Sequence, residues 1–179
     1  MVKKIVRKRG QVWIETVIYT LIAFVMIGLV LAYAKPKIEA MQDKVAIDQA
    51  LLLMEGIDQT VISLIQGGQG NKRRLEIGID KGTLNFDGVN DLVVFNLESE
   101  HKYSEPGKTL INGIFSVLTN QNGKYYNVSI TRYYVDYDLR FEGTDDTGIL
   151  EKASTPYVVY ISNNGENLNK DIILNVTMG

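Results

Sequence analysis

Residues 8–34 read KRGQVWIETVIYTLIAFVMIGLVLAYA, and this stretch decides the architecture. From Thr16 to Ala34 there are 19 residues without a charge. As an α-helix they span roughly 28 Å, close to the hydrocarbon thickness of a bilayer. Apolar side chains fall on every side of such a helix, so it needs apolar surroundings all round. Five basic residues precede it, Lys3, Lys4, Arg7, Lys8 and Arg9, with no acid among them. That cluster predicts a cytoplasmic N-terminus, with everything after Ala34 facing outward.

The whole chain has 179 residues, 19 basic and 21 acidic, for a net charge of −2. Its hydrophobic fraction of 45% and charged fraction of 22% are those of a globular protein, which argues against wholesale disorder. There is no cysteine, which excludes disulfides, thiolate metal sites and a cysteine nucleophile. A single histidine, His101, excludes a multi-histidine metal centre. The near-neutral sum argues against a nucleic-acid partner.

Three readings compete for the N-terminal segment. It is a plain signal anchor, or a secretory signal cut at Ala32-Tyr33-Ala34, or a leader cut between Gly10 and Gln11. The secretory reading needs an apolar stretch longer than the usual 7–15 residues. It also leaves Glu15 without a role. A carboxylate at the bilayer centre costs roughly 2.5–3.5 kcal/mol, and less near the interface.

The short basic leader, Lys8-Arg9-Gly10, Gln11 as a new first residue and Glu15 five residues into the processed chain together resemble the class III signal of type IV pilins. The form with Gln at the first position is most similar to the archaeal type IV pilin-like branch, although Trp13 replaces the small residue common there. The resemblance implies processing by a prepilin peptidase at Lys8, Arg9, Gly10 and Gln11. It also implies assembly by an ATPase and a membrane platform protein into a helical homo-oligomer. Processing would remove five of the nineteen basic residues and leave a net charge of −7. Without its cationic tether the apolar helix leaves the bilayer more easily. In the family the carboxylate at this position is thought to neutralise a neighbouring subunit's N-terminal amine, which assigns Glu15 to assembly. The alternative for Glu15 is a carboxylate near the headgroups or at the helix N-terminus, where the helix dipole favours it.

Beyond Lys35-Pro36-Lys37, apolar residues recur at helical spacing: Ile38, Met41, Val45 and Leu52, and Ala46, Ala50, Leu53, Ile57, Val61 and Leu64. Asp43, Asp48, Gln49, Glu55 and Asp58 fill the opposite face. The expected helix runs over 11–66, with 16–34 as membrane span or filament core and a bend allowed at Pro36. Met41 and Met54 are expected in a packed core. Gly67-Gly68-Gln69-Gly70 ends the helix.

From Asn71 the period changes to two. Residues 71–179 are expected to form an extracellular head of seven or eight strands, an antiparallel β-sandwich or strongly curved sheet. Two hairpins are predicted, at Asn122-Gly123 and at Asn164-Gly165. The inward phase changes from even (Tyr126, Val128, Ile130) to odd (Tyr133, Val135, Tyr137, Leu139, Phe141). That change predicts a bulge or strand switch near Thr131-Arg132. The tyrosines of this segment are expected mainly in sheet packing rather than as an adhesive surface. The fold class is therefore α+β: a leader over 1–10, a long helix, and a β-rich head.

Asn127-Val128-Ser129 and Asn175-Val176-Thr177 are glycan acceptor sequons, with both asparagines on the polar side of their strands. Asp146-Thr147-Gly148 matches the aspartic-protease tripeptide but lacks the preceding apolar strand and a second copy, and is expected to be a polar turn. Asp136, Asp138, Glu142, Asp145 and Asp146 lack the spacing of a calcium loop. His101 is expected in a solvated loop. No catalytic, cofactor-binding or metal residues are expected, so the chain is read as a non-enzyme needing no cofactor. The expected function is a filament subunit supporting surface attachment. Alternatives are a pseudopilin or minor tip subunit of a secretion or uptake system, and a membrane-anchored extracellular binding domain that never polymerises.

Overall fold

The structure is a computed structural model and describes residues 9–169 and 171–179, with side chains from Trp13 onward. The described residues form one helix and ten strands: α1 (Arg9–Gly67), β1 (Lys72–Ile77), β2 (Thr83–Asp87), β3 (Leu92–Ser99), β4 (Thr109–Asn112), β5 (Phe115–Asn122), β6 (Tyr125–Tyr133), β7 (Tyr137–Phe141), β8 (Thr147–Glu151), β9 (Tyr157–Glu166) and β10 (Ile172–Met178). The class is α+β, a long N-terminal helix followed by a β-rich domain of two sheets. The chain divides into two compact units, Met1–Glu39 and Ala40–Gly179.

The helix runs through Pro36 without stopping. Proline lacks the N–H that would reach back four residues, so one rung of the ladder is missing there. At the other end, Gly68 adopts φ +78° and Gly70 φ +87°. The Asn71 side chain donates to the Gly67 carbonyl at 2.5 Å and to the Gly68 carbonyl at 3.0 Å, satisfying carbonyls that the last turn leaves open.

In the second unit the buried helical residues are Ile47, Ala50, Met54, Ile57, Val61 and Leu64. Their spacing of three and four keeps them on one stripe. Met54 is buried as expected, whereas Met41, Val45 and Leu52 are exposed by 70%, 53% and 67%. The helix therefore carries a second apolar stripe that the head does not cover. Asp43 and Asp58 also depart from expectation. They are buried at 6% and 1% exposure instead of filling a solvated face.

The smaller sheet has the order β1-β9-β10-β7 and the larger one β4-β5-β6-β3-β2-β8. All pairings are antiparallel except β7 with β10, which is parallel. Alternation places Val93, Phe95, Leu97, Phe115, Val117, Val128, Ile130, Leu84 and Phe86 on the inner face of the larger sheet. Val159, Ile161, Leu174, Val176 and Leu139 lie on that of the smaller one. Together with the helical stripe they form one continuous core. Burying each such side chain is worth about 1.5–3 kcal/mol.

The count of ten strands exceeds the expected seven or eight for identifiable reasons. Residues 110–118 read as one strand but form two, because Gly113 takes φ +62° and closes a Gly113-Ile114 hairpin between paired Asn112 and Phe115. The Asn122-Gly123 hairpin is present, with Gly123 at φ +62°. Only its glycine has positive φ, so the loop is Gly123-Lys124 in the type II′ form and not Asn-Gly in type I′. The expected turn at Asn164-Gly165 is wrong. That dipeptide lies inside β9, where Gly165 at φ +94° makes a bulge opposite Ile172–Leu174. The reversal comes later. The Asn167 side-chain oxygen accepts from the amides of Asn169 and Asp171 at 2.8 and 3.0 Å.

The phase change in the tyrosine-rich segment is a strand switch, placed after Tyr134 and not at Thr131-Arg132. The Tyr134 amide donates to the Asp91 carbonyl at 2.7 Å, and the Tyr137 amide donates back to Tyr134 at 2.8 Å. This tight turn takes the chain from β6 in the larger sheet to β7 in the smaller one. The Asp91 carboxylate accepts from the Leu139 amide at 2.8 Å and fixes the corner. Asp146-Thr147-Gly148 is not the expected turn: the turn lies at Glu142-Gly143, and Thr147 and Gly148 begin β8, an edge strand.

Candidate functional site

Every large apolar residue from Trp13 to Tyr33 is at least 46% exposed. The most apolar 18-residue window of the helix has a mean hydropathy of 2.4 and none of it is buried. This is one helix long and apolar enough to cross a membrane. Exposing so many side chains to water costs about 1.5–3 kcal/mol each, so the segment requires lipid or protein around it. Thr20 lies in this run, and its hydroxyl donates to the Thr16 carbonyl at 2.8 Å. That bond removes the polarity of one hydroxyl from an apolar environment.

Of the residues expected at the processing site, Lys8 lies outside the described residues. The backbone of Arg9, Gly10 and Gln11 is helical, and their side chains are outside the description. Glu15 sits exposed on the helix, and its carboxylate has no ion-pair partner among the described residues. Past the apolar run, Lys35 pairs with Glu39 at 3.7 Å, an exposed contact one helical turn apart.

The helix is tied to the larger sheet of the head by two buried carboxylates. Asp58 accepts from Arg132 Nε at 2.7 Å. Arg132 also donates to the Tyr133 carbonyl at 2.5 Å and lies 4.8 Å from the centre of the Tyr134 ring. Asp43 pairs with Lys81 and accepts from the Glu100 amide at 2.5 Å. The spacing fits the two secondary structures. Fifteen helical residues separate Asp43 from Asp58, roughly 22 Å. Glu100 lies seven strand residues from Val93, which pairs with Arg132, a span of roughly 23 Å. One stretch of helix thus matches one length of β3. Sequence reading missed these clamps because an isolated aspartate on a helix looks like a solvated residue. The signal was present in Lys81 and Arg132, each a lone cation beside an apolar strand.

Tyr134 is 2% exposed, and its hydroxyl has no hydrogen-bond partner among the described residues. Burial, and then the adjacent Asp58 charge, push its ionisation well above the ordinary phenolic range.

A polar groove of about 320 Å³ lies beside the β6–β7 corner, with Asp91, Asp138, Asp145, Asn167, Asn169 and Asp171 in its wall. Burial pushes Asp91 up, against the hydrogen bond from Leu139, and the nearby Asp138, Asp145 and Asp171 add to the rise. Asp138 is lowered chiefly by its hydrogen bond with Arg140, which reaches it through two nitrogens at 2.9 Å. Of the other sequence-noted acids, Glu142 accepts from the Met178 amide and Asp146 from the Thr144 hydroxyl. Among the described residues no three histidine, aspartate or glutamate side chains are grouped to hold a metal ion. His101 sits half-buried in a loop whose amide and carbonyl both bond to the Ser99 hydroxyl.

The two sequon asparagines differ. Asn127 projects from β6 on the outer face of the larger sheet, between Glu98 and Asn120 in register, and is exposed. It opens onto a groove of about 430 Å³. Asn175 is half-buried on β10, and its side-chain oxygen accepts from the Gly143 amide at 2.8 Å.

No family model, curated protein or solved structure matches the chain.

Proposed function

We propose that the chain is a structural subunit of an extracellular type IV pilus-like filament, matured by a prepilin peptidase and serving surface attachment. The observation that carries this reading is the bare apolar helical segment from Trp13 to Tyr33. A membrane accounts for that segment alone. It gives no reason for the second exposed stripe, Met41, Val45 and Leu52, which lies beyond the lysines at 35 and 37. A bundle of identical helices supplies an apolar partner to both. Exchanging lipid for neighbouring helices leaves the apolar surface covered, and Lys35 and Lys37 mark where the bilayer ends before assembly. Glu15 then acts in assembly, because a buried charge is tolerated only when paired.

N-terminal sequencing of the protein from its own cells tests the processing step. Gln11 as first residue is expected. An intact Met1 or Val2 supports a plain anchor, and Lys35 a secretory signal. Gly10→Asp is expected to block processing, since a side chain at this position obstructs the close approach of a peptidase. Glu15→Val is expected to insert in the membrane and to form few filaments.

A further inference from the structure

We propose that Asn127, and not Asn175, carries an N-linked glycan, seated over the open groove on the outer face of the larger sheet. Both asparagines satisfy the acceptor tripeptide, so the sequence does not choose between them. The fold does. The Asn127 amide projects from the sheet with no hydrogen-bond partner among the described residues. Beside it lies the open groove of about 430 Å³, whose wall includes Asn96, Glu98, Asn120, Ser129 and Lys81. These side chains offer donors and acceptors suited to sugar hydroxyls. The Ser129 hydroxyl of the same sequon is aligned on that face and donates to Asn96 Oδ1 at 2.6 Å.

Asn175 has no such room. The β7–β8 turn folds across it. The Gly143 amide donates to Asn175 Oδ1, and the Glu142 amide donates to the Val176 carbonyl at 2.8 Å. The Met178 amide in turn donates to Glu142 Oε1 at 2.6 Å. A saccharide on Asn175 competes for the space of that turn and puts all three bonds at risk, whereas one on Asn127 disturbs none.

The donor is a saccharide linked through phosphate to a membrane lipid, and a transferase moves it. The anomeric carbon forms a bond to Asn127 Nδ2 and its bond to the phosphate oxygen breaks. The lipid phosphate leaves with that electron pair, and Nδ2 gives up one proton. The inference rests on the head facing outward, as in the proposed function, but not on filament assembly.

The test is peptide mapping by mass spectrometry of the full chain purified from the cells that make it, with labelling of intact cells to place the head. The expected result is a saccharide mass on the Asn127 peptide and none on the Asn175 peptide. Asn127→Gln and Ser129→Ala are expected to remove it, while Ser129→Thr and Asn175→Gln keep it. Circular dichroism of the purified variants checks that each is folded. An unmodified Asn127 on an outward-facing head overturns the inference, as does a saccharide on Asn175. A head that faces the cytoplasm overturns both this inference and the outward topology. A modified Asn127 on a protein that never polymerises upholds the inference and removes the filament reading alone.

Discussion

Replacing Asp58 by alanine removes the buried half of the clamp between helix and head. Asp58 is 1% exposed, and the Arg132 side chain facing it 25% exposed. Removing one partner of a buried pair typically costs 3–5 kcal/mol, because the remaining charge stays desolvated. Arg132 keeps the Tyr133 carbonyl and the Tyr134 ring and reaches some solvent, which places the loss near the lower end, about 3 kcal/mol. For a domain of this size each kcal/mol lowers Tm by about 2–4 °C, so a drop of about 6–12 °C is expected. The assay is thermal unfolding of the full chain in detergent, followed by the β-sheet circular dichroism signal. Arg132→Ala and the double variant complete a cycle, with an expected coupling of about 2 kcal/mol. The loss should change little between low and high salt, since buried pairs are weakly screened. A single-variant loss below about 1 kcal/mol, or strictly additive variants, refutes the clamp.

Met54→Ala is expected to cost about 2–5 kcal/mol, while Met41→Ala on the uncovered stripe costs no more than about 0.5 kcal/mol in the isolated subunit. Paired urea titrations check the contrast. Burial and the Asp58 charge raise Tyr134, so above about pH 10 the unfolded chain releases a phenolic proton that the folded one retains. Stability should therefore fall as pH rises from there. Tyr134→Phe should blunt that alkaline limb and be neutral or stabilising by up to about 1 kcal/mol at pH 7, since it deletes an unpaired buried hydroxyl. The lowered Asp138 works in the opposite sense. Its contribution is present above the ordinary carboxylate pKa near 4 and is lost as pH falls below it. Asp138→Asn should accordingly flatten the acid limb of a stability–pH profile.

What the sequence made legible followed from period and punctuation. The charge-free run, the glycine-rich helix stop and the shift from helical to alternating apolar spacing placed α1 and the β-rich head within a residue or two. The even-to-odd phase change signalled a switch in this segment, but Tyr133 and Val135, read as inward, are 47% and 77% exposed, Tyr134 is buried instead, and the odd phase holds only in β7 around Leu139. The crossing between sheets depends on the distant Asp91 holding Tyr134 and Leu139. Asn164-Gly165 was misread because a positive-φ glycine serves a bulge as readily as a turn. The side chain that makes the turn, Asn167, carries no signal beyond its own identity. Asp43 and Asp58 look like solvent-facing residues until their cations are brought in from β-strand regions tens of residues away. Accessibility separates Asn127 from Asn175, and it is a property of the assembled head.

Electron microscopy of material sheared from cells decides whether the chain polymerises. Helical filaments are expected, with residues 13–33 of many copies packed at the axis and shielded from water. Finding the mature chain only as single molecules in the bilayer, or filaments whose axis excludes this segment, contradicts the filament reading.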